Sequence, residues 1–344
     1  MAIGGLGEMS RNAPGTRGRG RSMLEIAAGP GALLAAFEVY ILLKWVSGPN
    51  FEPVRLGPTP VPTWMKIGVI TVQVVFAVAA CAMIYQLVIR PWRRERTVGL
   101  DGLLCLAAMM TSVYDASSAY FHNWLTYNSY LLTMGNPSAE LPGWQSYSVP
   151  GETIAWPILF IPTCYAVAYV GVPKLGCSVM RRASNRWPGI PVFGLLAICF
   201  AVMAVVTLVM EGQVFMRLAL YQETGWSIGF LDSHYSHNPL RNVLFVALFC
   251  TALTALRFYR NDRGQSLVER GAERFGASPG KAVVMRFLAV LAGFQLIIGL
   301  GYHLPMAMTT LVAPDAPWHD VMVQNSYLNN QICGVGTPRT CPGR

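Results

Sequence analysis

Seven long apolar segments constrain the fold of this chain more than any other feature. They lie at approximately 27–47, 67–90, 98–121, 152–174, 192–215, 239–260 and 283–304. Each has roughly the 20 residues that an α-helix needs to cross the hydrocarbon core of a bilayer. Only 12% of the residues are charged, compared with about 25% in an average soluble domain. The sequence therefore predicts an all-α fold, a polytopic bundle of about seven transmembrane helices in the cell membrane.

Positive charges alternate along the chain in a way that predicts its orientation. Nineteen of the 26 Lys and Arg residues fall in the N-terminal segment or in every second connection between apolar segments. They are Arg11, Arg17, Arg19, Arg21, Arg90, Arg93, Arg94, Arg96, Lys174, Arg181, Arg182, Arg186, Arg257, Arg260, Arg263, Arg270, Arg274, Lys281 and Arg286. The positive-inside rule then predicts a cytoplasmic N-terminus and an outer C-terminus. The net charge of +9 is a topology signal that favours contact with anionic lipid, and we predict no nucleic-acid partner.

The same pattern divides the chain into three regions. Residues 1–25 are predicted to be a disordered basic cytoplasmic tail, with no separate signal peptide because the first apolar segment is long enough to remain as a membrane helix. Residues 26–310 form a seven-helix membrane catalytic domain, and residues 311–344 form an outer C-terminal tail. In that tail Cys333 and Cys341 flank a Gly/Pro turn on the outer side, where disulfides persist. We predict that they pair; the alternative is two free thiols.

Two acidic residues lie in the third apolar segment; Asp101 is at its start, and Asp115 is the one well inside it. A carboxylate at the centre of a bilayer costs about 2.5–3.5 kcal/mol on insertion scales. Thr111, Asp115, Ser118 and His122 follow i, i+4, i+7, i+11 spacing, so a regular α-helix would place them on one face. Because ionisable residues inside a membrane are functional candidates by default, we predict a functional role. The alternative is that Asp115 pairs with a hydroxyl or a cation of a neighbouring helix.

Glu211 and the five histidines lie toward the predicted outer side. Glu211 lies in the outer part of the fifth segment, one turn from Thr207, although it could instead reach water or Arg217. All five histidines fall at or beyond the outer ends of segments, namely His122, His234, His237, His303 and His319. Burial and neighbouring charges usually drive the pKa values of two pocket carboxyls apart, which supplies an acid and a base together. We predict that Asp115 and Glu211 are that pair.

Several other classes of protein are disfavoured. His234 and His237 with Asp232 form an H-x-x-H pattern, which is a weak metal signal, and neither HExxH nor CxxC accompanies it. We therefore predict no metal, and a metal site stays the less favoured alternative. The seventh segment has no lysine, which a retinal protein would require. The sequence also has no phosphate-binding loop, dinucleotide fingerprint, G-x-S-x-G elbow or kinase motif.

The chain resembles the AveC family of spirocyclases over its whole length. The resemblance is carried by its Arg-rich start, its CPGR end and the block 109–152, MMTSVYDASSAYFHNWLTYNSYLLTMGNPSAELPGWQSYSVPGE. The resemblance rests on overall sequence and does not indicate which residues act. It implies an actinomycete enzyme, as in Streptomyces, of macrolide polyketide antibiotic biosynthesis of the avermectin type. Such an enzyme closes a dihydroxy-ketone of a macrolactone into a 6,6-spiroketal with set stereochemistry, and some members also act as spiroketal dehydratases. The implied partners are the macrolactone and the lipid bilayer, and no cofactor is implied.

This resemblance gives the candidate residues specific roles. We expect Asp115 to act as an acid or cation stabiliser, Glu211 as its partner, and His122 or His237 as a proton shuttle. Residues expected to line the substrate pocket are Tyr114, Ser118, Trp124, Tyr127, Tyr302 and His303. The alternative function is a transporter or binding protein for a lipophilic polyketide, since intramembrane carboxylates also serve as proton relays. The lack of a visible internal repeat weighs against a transporter.

Overall fold

The computed structural model describes residues 21–120, 123, 125–144, 154–223, 228–233, 235–312 and 317–341, except for the side chains of Ala116, Ser118, Ala119 and Thr310. The fold is mainly helical, and each of the seven apolar segments forms helix. Within the described residues the α-helices are α1 (Met23–Ser47), α2 (Thr63–Ile84), α3 (Arg90–Glu95), α4 (Leu100–Thr111), α5 (Phe160–Arg186), α6 (Val192–Thr207), α7 (Leu240–Phe258), α8 (Pro279–Ile298), α9 (Leu304–Val312), α10 (Asp320–Val323) and α11 (Ser326–Asn329).

Five helical stretches in the described residues are long and apolar enough to cross a membrane, which indicates a membrane protein. They are Met23–Ser47, Thr63–Glu95, Val192–Met216, Leu240–Phe258 and Pro279–Thr309. The predicted count of seven is not confirmed. The third segment has only 12 residues of α-helix in α4, and the fourth begins at Phe160, later than predicted, and continues to Arg186.

α4 and α5, which are not among those five stretches, lie at the centre of the bundle. α5 packs against α2, α4, α6 and α7, and α4 lies between α5 and α8. α1 runs along α8 at the edge of the bundle. Large apolar side chains on the outer helices are exposed, such as Leu33 on α1 and Phe193 on α6. Exposed apolar side chains of this kind are typical of helices that face lipid tails rather than water.

Small residues allow helices to approach closely at two crossings. A Cβ atom on Gly31 of α1 would lie 1.9 Å from the Leu288 carbonyl oxygen of α8. A Cβ atom on Gly176 of α5 would lie 2.5 Å from Thr254 Oγ1 of α7. Close approach at glycine is typical of membrane helix pairs, where van der Waals packing replaces the hydrophobic effect as the driving force.

Three helices change their geometry toward one end of the bundle. α4 continues as a 3₁₀ helix over Ser112–Ala119, α6 continues as a π-helix over Leu208–Met216, and α8 continues as a π-helix over Gly299–His303. A further π-helical turn, Tyr85–Ile89, joins α2 to α3. π-helical turns inside α-helices are rare and frequently mark functional sites.

The 3₁₀ helix after α4 corrects the predicted face of the third segment. Ser112 Oγ donates to the Met109 carbonyl at 2.6 Å, and Ser117 Oγ donates to the Tyr114 carbonyl at 2.5 Å. Such local bonds from serine compete with regular α-helix. A 3₁₀ helix has three residues per turn, so the α-helical spacing that placed Thr111, Asp115 and Ser118 on one face is wrong beyond Ser112. His122 lies outside the described residues.

Two short strands, which the all-α prediction missed, form a small antiparallel sheet at this end of the bundle. β1 (Leu125–Tyr127) pairs with β2 (Tyr221–Glu223) in the register Leu125↔Glu223, Thr126↔Gln222 and Tyr127↔Tyr221. All six residues are buried. Strands of three residues are too short for the alternation of polar and apolar residues that reveals a strand in sequence.

The C-terminal segment packs against β1, although the sequence separates it as a tail. Cys333 and Cys341 are joined in a disulfide, which confirms the predicted pair. The buried Asn330 donates to the Tyr127 carbonyl at 2.8 Å and to Ser129 Oγ at 2.9 Å, and it accepts from the Ala155 amide at 3.0 Å.

The crossing of α1 and α8 can be tested with two glycines of α1. Gly31→Ala should lower the apparent melting temperature in detergent micelles, since its Cβ meets the Leu288 backbone and overpacking typically costs about 1–3 kcal/mol. Gly29→Ala is the matched control, because a Cβ at Gly29 meets no atom within 4 Å. Equal melting temperatures for the two variants would contradict the close crossing.

Candidate active site

A cavity of about 340 Å³ lies beside the central helix α5, beneath β1 and β2. Most of its wall is apolar. Its ionisable and hydroxyl side chains include Asp115, Tyr127, Thr207, Glu211, Tyr221 and Tyr302. Sites for small molecules are commonly apolar cavities with a few polar groups that orient the ligand, and this cavity fits that description.

Asp115 enters the cavity from the 3₁₀ helix that follows α4. Its side chain is buried, with 5% of the residue exposed. The hydroxyl of Tyr165, on α5, donates a hydrogen bond to Asp115 Oδ1. Tyr165 also lines the cavity, so a single α5 side chain both forms part of the wall and holds the carboxyl in place.

Glu211 enters the same cavity from the π-helix that follows α6. Tyr221 Oη on β2 donates to Glu211 Oε2 at 3.0 Å, and Asn242 Nδ2 on α7 donates to the same oxygen at 2.7 Å. Two donors to a carboxylate offset part of the cost of burying its charge. Because both donors bind Oε2, the hydrogen bonds among the described residues leave Oε1 for a ligand.

Aromatic rings close much of the remaining wall. Phe76, Phe160 and Phe215 contact each other edge to face, with ring centroids 5.6–5.7 Å apart. Tyr165 and Tyr169 form a second pair of this kind at 4.7 Å. The negative face of an aromatic ring attracts a cation, so these walls suit a reaction that passes through positive charge.

A third carboxyl, Glu223, lies in the sheet next to the cavity. Leu125, its partner on β1, and Tyr221, two residues before it, both line the cavity. Paired residues and residues two apart project from the same face of a sheet, so Glu223 lies on the cavity side of the sheet without being part of the cavity wall. Its nearest cation is Arg241, whose Nη2 lies 3.8 Å from Oε2, and neither oxygen of Glu223 accepts a hydrogen bond within the described residues.

The surroundings of Glu223 shift its ionisation strongly. Burial raises the pKa of Glu223 to about 8, against the lowering effect of Arg241. The carboxylates of Glu211 and Asp115 raise this pKa further, which shows that the three acids lie close enough for their charges to interact. Adjacent carboxyls in an apolar site do not all ionise at neutral pH, so this group can hold protons there.

A stacked pair of histidines lies behind the sheet. The rings of His237 and His319 have centroids 3.5 Å apart, and His237 Nδ1 lies 2.8 Å from Asp232 Oδ2. The His237 amide donates to Gln222 Oε1 on β2 at 3.2 Å. Burial, with a contribution from His237, lowers the pKa of His319 to about 4. Among the residues that the structure covers, no three His, Cys, Asp or Glu side chains come together as a metal site requires.

The structure brings together four of the ten predicted site residues, since Asp115, Glu211, Tyr127 and Tyr302 line one cavity. Three more lie off this wall. Tyr114 lies near Glu38 of α1, His303 contacts Tyr302 with ring centroids 5.3 Å apart, and His237 lies behind β2. The other three, the Ser118 side chain, His122 and Trp124, fall outside the described residues, as does His234.

Sequence reasoning missed the donors and the third acid. Tyr165 is four residues from Tyr169 on α5, and this pair of tyrosines in an apolar helix was an available signal. Arg241 and Asn242 lie at the predicted start of the sixth segment, and Glu223 lies in the connection before it. Polar and charged residues are ordinary at such positions.

Comparison with known proteins then assigns the family. The model of the family described as "Spirocyclase AveC-like" matches residues 92–327. The chain belongs to the AveC-like spirocyclases. No curated protein and no solved structure matches it. Membership in this family suggests a spirocyclase role in polyketide biosynthesis, and the matched range includes Asp115, Glu211 and Glu223.

Replacing Glu223 should change how stability depends on pH. The pKa of Glu223 rises from 4.5 to about 8 on folding, so the folded protein binds more protons than the unfolded chain between these values. Stability should therefore fall as pH rises through this window, by on the order of a few kcal/mol at alkaline pH. Glu223→Gln does not titrate and should weaken the fall in apparent melting temperature between about pH 5 and about pH 9.

Glu273→Gln provides the control for this measurement. Glu273 is exposed, and hydrogen bonds from Gln265, with Arg263 nearby, lower its pKa. Its removal should leave the fall above about pH 5 unchanged. The assignment fails if Glu223→Gln retains the wild-type slope.

Proposed function

We propose that this protein is a spiroketal synthase that converts a dihydroxy-ketone of an avermectin-type macrolactone into a 6,6-spiroketal. One observation carries the proposal: Asp115 and Glu211, from different helices, both line one apolar cavity. Family membership supports spirocyclase chemistry. The cavity supports it independently, because acid and base groups in an apolar, aromatic pocket are what this reaction uses.

The reaction requires proton transfers and one cationic intermediate. One substrate hydroxyl adds to the ketone carbon and gives a hemiketal. Protonation of the hemiketal hydroxyl then allows its C–O bond to break. Water departs, and an oxocarbenium ion forms. The second hydroxyl attacks that carbon and loses its proton, which completes the spiroketal. The net change is the loss of one water with no transfer of electrons, so the scheme needs no redox cofactor.

We assign the acid to Asp115 and the carboxylate to Glu211. The two hydrogen bonds to Glu211 Oε2 from Tyr221 and Asn242 favour its ionised form. Glu211 then accepts the proton of the attacking hydroxyl and stabilises the oxocarbenium ion, while Asp115 protonates the leaving oxygen. Tyr165 orients Asp115 through its hydrogen bond. Of the described histidines, His237 remains our candidate proton shuttle; its ring contacts Asp232 and lies behind β2 rather than at the cavity wall.

The aromatic wall gives the site control over stereochemistry. Spiroketals also close without an enzyme, so the protein contributes orientation of the ketone face as well as rate. Rings around the cavity exclude water, which would otherwise trap the oxocarbenium ion, and their π-faces stabilise its charge. Tyr127 and Tyr302 are proposed to contact the substrate here.

We extend the proposal to the dehydratase activity known in the family's avermectin branch. A base removes a proton from the carbon next to the one that carries a ring hydroxyl, and an acid protonates that hydroxyl. The C–H and C–O bonds break, an alkene forms and water leaves. Glu211 and Asp115 supply the base and the acid, so both reactions use one site.

We also propose the predicted topology of seven crossings with a cytoplasmic N-terminus. α5 has 27 residues, or about 40 Å of helix, and central helices need fewer apolar residues because they face protein rather than lipid. Arg257 and Lys174 bind Asp101 at 2.8 Å and 3.2 Å, on the side of the cavity toward the end of the bundle where basic residues cluster. The protein would reside in the cell membrane, with the macrolactone and lipid as its partners and no nucleic acid.

Replacing the two carboxyls tests this function. Asp115→Asn cannot donate the proton that the leaving oxygen needs, and it should reduce turnover by roughly 10²–10⁴-fold. Glu211→Gln should reduce it by a similar factor, because the neutral amide accepts no proton. The measurement is formation of the spiroketal above the uncatalysed background, with its stereochemistry, from the dihydroxy-ketone and detergent-solubilised protein.

Asp262→Asn is the control, because Asp262 is an exposed carboxyl in the loop after α7 and should leave turnover unchanged. Unaltered rate and stereoselectivity in Asp115→Asn would rule out the assigned acid. A transporter or binding protein would return the dihydroxy-ketone unchanged with wild-type protein too, so this assay also decides between the two functions.

A further inference from the structure

The cavity has a side opening between two membrane helices. Most of its wall is buried or half-buried, but two of its lining residues are exposed: Gly171 on α5 and Met210 on the π-helix after α6. Val172 and Val206 complete this part of the wall. We call the gap between Gly171, Val172, Val206 and Met210 the α5–α6 cleft.

The α5–α6 cleft opens at the depth of the lipid tails. Val206 lies 14 residues from one end of the candidate span Val192–Met216 and 10 from the other, or about 21 Å and 15 Å at 1.5 Å per residue. Gly171 lies 11 residues into α5, or about 17 Å. A hydrocarbon core is about 30 Å thick. The opening therefore lies within the candidate span, on the cavity side of the Lys174–Asp101 ion pair, where a helix surface would face acyl chains.

Gly171 borders open space at this opening and, among the described residues, packs against no neighbouring helix. A Cβ atom at Gly171 meets no heavy atom within 4 Å, whereas a Cβ at Gly176, five residues further along α5, would collide with Thr254. The two glycines therefore have different structural roles. Gly176 lets α7 approach, and Gly171 borders empty space that continues into the cavity.

The cavity is too small for the whole substrate of the proposed function. Its 340 Å³ lies near the lower end of the roughly 300–1,000 Å³ of sites for drug-sized ligands. A macrolactone that also carries a ketone and two hydroxyls is larger than most such ligands. Only its reacting segment can reach Asp115 and Glu211 while the remainder stays outside the cavity.

We propose that the macrolactone enters sideways from the bilayer and binds across the α5–α6 cleft. The dihydroxy-ketone segment lies in the cavity, and the macrolactone ring lies in the cleft against lipid tails. Closure consumes a ketone and two hydroxyls, so the product is more apolar than the substrate and can leave by the same route. This inference rests on the proposed function and adds the binding mode and the residues that select for the large ring.

A bulky side chain in the cleft tests this binding mode. The full-length protein in lipid nanodiscs would receive two substrates, the macrolactone and an acyclic fragment that carries only the ketone and its two hydroxyls. Gly171→Phe should raise KM for the macrolactone by about tenfold or more, because the ring loses its place. The kcat/KM for the fragment should stay within about twofold of wild type, because the fragment fits inside the cavity.

Val205→Phe is the matched control. Val205 is the neighbour of Val206 on α6, is 60% exposed and does not line the cavity, so its larger side chain should point into lipid and change neither substrate. Gly171→Leu provides a smaller obstruction and should raise KM for the macrolactone less than Gly171→Phe, which keeps the test available if the Phe variant does not fold.

Three results would overturn the proposal while leaving the proposed function intact. Unchanged kinetics for the macrolactone in both Gly171 variants would show that the ring does not use the cleft. Equal losses for macrolactone and fragment would show damage to the cavity itself. An equal rise in KM for the macrolactone in Val205→Phe would show that bulk on the outer surface, rather than in the cleft, causes the loss. Wild-type protein that converts neither substrate would instead refute the proposed function, and with it this binding mode.

Discussion

Carboxyl groups buried in an apolar membrane bundle need hydrogen-bond donors, and the site depends on how this need is met. A charged group without partners in such surroundings costs several kcal/mol. Tyr165 supplies a donor to Asp115, and Tyr221 and Asn242 supply donors to Glu211. These donors come from α5, β2 and α7, so the carboxyls are held only when the central helices and the sheet are assembled together.

Departures from α-helical geometry place these groups at the cavity. Asp115 lies in a 3₁₀ helix, and Glu211 and Tyr302 lie in π-helices. Each change of pitch rotates the following side chains relative to a straight α-helix. Helix lengths suited to crossing the bilayer can in this way be combined with side-chain directions suited to the site.

The cavity borders two different surroundings. The β1–β2 sheet and the C-terminal segment lie over one end, where Glu223, Arg241 and the stacked His237 and His319 form a polar region. In the proposed binding mode, the α5–α6 cleft opens to lipid on the side. Proton-carrying groups then lie on one side of the proposed reacting atoms, and apolar space lies on the other. This arrangement suits a large hydrophobic substrate with one oxygenated segment.

Sequence alone was enough to indicate a helical membrane protein and to single out Asp115 and Glu211 as candidate site residues. The length of an apolar segment and the presence of an acidic residue within it are local properties. The sequence also indicated the disulfide and, through overall resemblance, the spirocyclase family. The tertiary structure alone decided which donors bind each acid, that Glu223 joins them, and that Tyr114, His237 and His303 lie off the cavity wall. Those facts depend on contacts between residues such as Asp115 and Tyr165 that are 50 positions apart, and on changes of helix pitch that hydrophobic periodicity does not report.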